Sequence, residues 1–84
     1  MVQKSSKQEV FKMTKLAYPM LYITRKEKGD TQKEVATKLG ISPQRYQLKE
    51  SGKAIFNLNE CQILSEMYDM PIDELFSSKI KANS

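Results

Sequence analysis

The chain has no histidine, no tryptophan and one cysteine, with three glycines and three prolines among 84 residues. Without histidine, the commonest general base and the usual zinc-ligand sets are missing. A single cysteine has nothing to pair with in a disulfide. Cys61 lies between Leu58 and Leu64 in an apolar pattern and reads as a small buried hydrophobe rather than a reactive thiol. The few glycines do not form a phosphate-cradling loop, and no carboxylate pair falls at helical spacing in the expected core. An enzyme is therefore not expected, nor is a metal or other cofactor. No segment approaches the roughly 20 apolar residues that a membrane span requires. The basic N-terminus is not followed by the apolar run of a secretory leader. These features together lead us to expect a cytoplasmic protein with no membrane partner.

What is present is a small, charged chain with an uneven charge distribution. Its length suits one domain with one small core, and with 29% charged residues it has no room for a deep active site besides. Residues 1–53 carry 12 basic and 5 acidic side chains, a net +7, whereas residues 54–84 carry 2 and 5, a net −3. Such an asymmetry suits a domain with one face toward a polyanion. An ordinary solvated surface would show it too.

The most informative stretch is QKEVATKLGISPQRYQLKES, from Gln32 to Ser51. Thr31 followed by Glu34 is a capping box, so a helix begins at Gln32. Gly40 can adopt the left-handed conformation that ends it at Lys38 or Leu39. Ser42 caps a second helix and Pro43 fits its first position, where no intrahelical bond is lost, giving a span from Pro43 to Glu50. Val35 and Leu39 share a face, Tyr46 is the main inward residue of the second helix, and Ala36 is small where two helices cross at roughly 90–120°.

Gln32, Ala36, Gly40, a hydrophobic residue at 41, Tyr46, Glu50 and Gly52 together resemble the helix-turn-helix of phage repressor and Cro-like (XRE-type) transcription regulators. The Tyr46, Lys49, Glu50, Gly52 run is similar to the Gram-positive phage variety. The resemblance covers Leu21 to Phe76 and implies an all-α, five-helix lambda-repressor-like DNA-binding domain. It also implies a partly buried structural ion pair between Arg25 and Glu50, and a phosphate-bonding, buttressing role for Gln32. Most such regulators have an aliphatic residue at the position of Lys49 and a polar one before it. Here Leu48 and Lys49 invert that order, and we expect the Lys49 stem to pack inside with its amine led to the rim.

The resemblance turns Tyr46 and Glu50 inward, which leaves Ser42, Pro43, Gln44, Arg45, Gln47 and Leu48 as the expected DNA-binding edge. Gln44 can bond adenine, Arg45 guanine or a phosphate, and Leu48 a thymine methyl. Lys33 and Lys53 are phosphate candidates, which contribute affinity but no sequence preference. A merely solvated role suits Gln47 and either lysine, and suits Gln44 and Arg45 less, given their place at the start of the helix.

Elsewhere, residues 1–17 read as a mobile basic arm with four lysines and one glutamate, which either touches DNA or has no role. Residues 18–77 form the helix-turn-helix domain and 78–84 a flexible tail. A first helix runs from Pro19 to Lys28, with Leu21, Thr24, Arg25 and Lys28 along one side, whose apolar part is thin. Phe56 and Ile55 fold back on the core. Asn57 with Glu60 caps a helix from Leu58 to Tyr68, whose inner stripe is Cys61, Leu64 and Tyr68. A short helix over Pro71 to Phe76 closes the pattern, with Ile72, Leu75 and Phe76 facing inward or toward a partner subunit. The acidic C-terminal half, with Leu75, Phe76 and Ile80, is the expected homodimer contact. The partner expected of the whole is a double-stranded DNA operator. The rival is a protein-interaction module on the same fold, an antitoxin or anti-repressor partner.

Overall fold

The computed structural model describes residues 16–78, and within them the chain forms five helices and no strand. They are α1 (Pro19–Lys28), α2 (Gln32–Leu39), α3 (Pro43–Glu50), α4 (Leu58–Tyr68) and α5 (Ile72–Leu75). The expectations for the arm (1–17) and the tail (78–84) fall outside the described residues except at Leu16, Ala17 and Ser78. Ile80 lies outside them as well.

Helix boundaries follow local chemistry. The Thr31 hydroxyl accepts from the Glu34 N–H at 3.0 Å, and the Glu34 carboxylate accepts from the Thr31 N–H at 2.8 Å. Asn57 and Glu60 make the same reciprocal pair at 2.8 and 3.0 Å. Ser42 caps α3 by accepting from the Arg45 N–H at 3.1 Å. Between α2 and α3, Gly40 sits at φ 73°. Its N–H donates to the Thr37 carbonyl and that of Ile41 to the Ala36 carbonyl, the paired bonds of a Schellman ending. Ile41 is thereby turned back toward the core and Ser42 is left in the extended backbone of an N-cap. Five residues of sequence thus set the turn of the helix pair.

The core comprises Leu21, Val35, Ala36, Tyr46, Phe56, Leu64, Tyr68 and Leu75. Phe56, on the segment between α3 and α4, meets the rings of Tyr18, Tyr46 and Phe76 edge-on at centroid distances of 5.7, 6.0 and 5.1 Å. Edge-to-face geometry sets the positive ring edge against a negative face and adds to the area each ring buries.

Several expectations are corrected. Ile55 points outward at 85% exposure, since Phe56 fills the space beneath the segment. Cys61 is only half-buried at the edge of the core. Pro71 is the residue before α5, not its first turn. Of the two places open to Leu75, inward or toward a partner subunit, it takes the first and is wholly buried. Phe76 is half-buried in the aromatic cluster, against Tyr18 at 5.5 Å and Phe56. Both serve the interior of one chain.

Candidate nucleic-acid interface

Helix α3 divides cleanly by exposure. Tyr46, Lys49 and Glu50 are buried, while Pro43, Gln44, Arg45, Gln47 and Leu48 are exposed, as is Ser42 before them. Residues 46, 49 and 50 lie three and four apart and share one face of a helix. The remainder are brought to the opposite face, continuous with the exposed N-terminus. Lys33 on α2 and Lys53 after α3 are also exposed. Gln32 is half-buried because its amide turns inward.

The inward face is held by Glu50. Its Oε2 accepts from Arg25 Nε at 2.7 Å and from the Tyr46 hydroxyl at 2.7 Å. Its Oε1 accepts from Arg25 Nη2 at 3.0 Å and from Gln32 Nε2 at 2.8 Å. A carboxylate offers about four lone-pair sites, so each site of this buried group is used. Residues from α1, α2 and α3 thus converge on one acid. Burial disfavours the Arg25 charge, but the Glu50 bonds and charge outweigh it and raise the guanidinium pKa. Burial, then the adjacent Glu50 charge, pushes the Tyr46 phenol well up.

Two further ties surround this network. Arg25 Nη1 donates to the Asp30 carbonyl at 2.9 Å, and the Tyr68 hydroxyl donates to Asp30 Oδ2 at 2.8 Å. The loop before α2 is thereby joined to α1 and α4. Burial and then the Asp30 bond raise the Tyr68 pKa.

Lys49 departs from what was expected of it. Its amine is not led to the rim; it donates to both Glu60 oxygens, at 2.6 and 2.8 Å, with both side chains buried. Sequence reasoning assigned Glu60 a capping role alone. The signal was available: a lysine on the inward face of a helix requires a carboxylate within the fold, because an unpaired buried charge is strongly disfavoured. No buried side-chain nitrogen or oxygen among the described residues lacks a partner.

Among the described residues no group of acids and cysteine is placed to hold a metal ion, and no helix is long and apolar enough to cross a membrane. The two-helix unit has a satisfied inner face, and its second helix presents Gln44, Arg45, Gln47 and Leu48 to solvent. The sequence model of the Helix-turn-helix family matches residues 21–75, and the chain belongs to that family. The family is one of DNA-binding transcription regulators of the XRE type and not one of enzymes. No curated protein and no solved structure matches the chain.

Proposed function

We propose that the protein is a repressor/Cro-like transcription regulator of the phage type, which inserts α3 into the major groove of an operator and binds as a two-fold dimer. The observation that carries this reading is the division of α3: one face anchored through Glu50, the other presenting Gln44, Arg45, Gln47 and Leu48 to solvent. Gln44 suits adenine, Arg45 guanine, and Leu48, 44% exposed, a thymine methyl. The capping box occupies the Thr31 and Glu34 amides. Those of Gln32 and Lys33 have no partner within α2 and suit a phosphate at that terminus, with the Lys33 and Lys53 amines alongside.

A recognition helix of eight residues spans few base pairs, and a second copy supplies the remaining specificity. Leu75 is wholly buried and Phe76 half-buried; among the described residues of the C-terminal half, the large apolar side chains that are exposed are Ile55, at 85%, and Leu58, at 68%. Residues 54–59 carry no charged side chain, so two copies can meet there without repulsion. Selection of random-sequence DNA at low and moderate salt, with Arg45→Ala in parallel, tests the whole reading. The expected result is a two-fold symmetric motif whose selectivity relaxes in the variant. No enrichment would favour a protein-interaction module, an antitoxin or anti-repressor partner, with Leu48 in its contact patch.

A further inference from the structure

Two buried ion pairs hold α3, and they point in different directions. Arg25–Glu50 joins it to α1, with Gln32 of α2 on the same carboxylate. Lys49–Glu60 joins its last turn to the first turn of α4. Among the described residues, the side-chain hydrogen bonds linking α3 to α4 are the two from Lys49 to Glu60.

Between these anchors runs the segment 51–57, and on either side of its end stand Ile55 and Leu58. Glu60 holds this segment too, because its Oε1 accepts from the Asn57 N–H as well as from Lys49. One carboxylate therefore touches the helix that faces DNA and the backbone that carries the exposed apolar pair. Lys49 donates to both oxygens of that carboxylate, and hydrogen bonds between charged groups are shorter and stronger than neutral ones. We infer that Lys49 and Glu60 are positioning residues that set where the Ile55–Leu58 surface stands relative to α3. They thereby set the separation of half-sites the dimer accepts. This inference rests on the operator-binding dimer proposed above.

The pair supplies something that an aliphatic residue at 49 would not. An apolar side chain at 49 would fill the same volume, and replacing a buried ion pair by apolar groups is often neutral or stabilising. What apolar contact does not supply is direction, and the best-attested use of buried polar pairs is to specify register.

The test uses the full chain and duplexes carrying two inverted copies of the selected half-site, with spacers varied one base pair at a time. Each added pair moves a half-site about 3.4 Å along the axis and about a tenth of a turn around it. Wild type is expected to favour one spacer over its neighbours by about tenfold, an ordinary coupling between two sites. Glu60→Gln, which keeps a capping-box residue, and Lys49→Met/Glu60→Gln, which replaces the charged pair, are each expected to cut that preference below about threefold. Their affinity for a single half-site should change by less than the lost preference. A role confined to stability would instead weaken all spacers equally. If the single variant loses cooperative melting, the double variant carries the test alone. A double variant with the wild-type spacer profile overturns the inference but leaves the dimer standing. Wild type binding half-sites with no spacer optimum overturns both, and no enriched half-site at all identifies failure of operator reading itself.

Discussion

Arg25 and Glu50, 25 residues apart in sequence, meet through two hydrogen bonds of 2.7 and 3.0 Å with both side chains buried. Glu50 also receives Gln32 and Tyr46, so removing the arginine leaves a buried carboxylate with two donors and no countercharge. Arg25→Met is expected to cost about 3–5 kcal/mol, the usual result of breaking one side of a buried pair. Small domains have about 5–15 kcal/mol in all, so denaturant melts should show a variant near the edge of stability.

The tyrosines make a pH prediction. Tyr46 and Tyr68 have phenol pKa values raised above the ordinary 10.0, by burial first and by the neighbouring acid second. A raised value means that the fold favours the neutral phenol. The stability these groups contribute is complete below pH 10.0 and declines as pH rises from there toward the folded values. Phenolate absorbance should therefore show two tyrosines ionising only as the chain unfolds in alkali. Tyr46→Phe should flatten the alkaline loss while costing about 1.5–3 kcal/mol at neutral pH, the worth of a hydrogen bond to a charged group.

Gly52 has φ 86°, and a Cβ built on it would lie 2.8 Å from the Cβ of Ala17. Gly40 has φ 73°, and a Cβ there meets nothing within 4 Å. Both Gly→Ala variants incur the left-handed backbone cost of about 1–2 kcal/mol, and Gly52→Ala must also displace a neighbour. Thermal melts should rank Gly52→Ala below Gly40→Ala. Equal losses would show that Ala17 yields freely.

Lys33→Ala and Lys53→Ala should each reduce the slope of log affinity against log salt by about 1, without altering the selected motif. A changed motif in either variant would mean that the lysine reads a base.

Ile55→Ser with Leu58→Ser alters exposed side chains, so folding stability should stay within about 0.5 kcal/mol of wild type. Sedimentation on operator DNA should show the paired species lost and single half-site binding retained. A dimer that survives the double change would place the contact elsewhere.

The ends of the four longer helices were readable from the residues because capping is local. Thr31 with Glu34, Asn57 with Glu60, Ser42 before Pro43, and the left-handed glycines act within three or four positions. The buried identity of Val35, Leu64 and Tyr46 was readable for a similar reason, since helical spacing alone puts them on one face. The Arg25–Glu50 pair spans α1 and α3 and no spacing rule reaches it; only family resemblance suggested it before the geometry was seen.

What the sequence by itself determined is where helices start and stop; which face of α3 turns inward was suggested by the family resemblance. Tertiary structure alone decided where the long side chains end. Lys49 looked like a residue whose amine would reach water, yet α4 arrives with Glu60 at its first turn and receives it. Ile55 and Phe56 are adjacent and both apolar, and the space beneath the segment admits one of them, between Tyr18, Tyr46 and Phe76. Leu75 could have faced inward or toward a partner, and the α5 turn placed it within the core. Capping and periodicity depend on neighbours a few residues away, whereas a buried charge or a filled cavity depends on which distant element comes to lie opposite it.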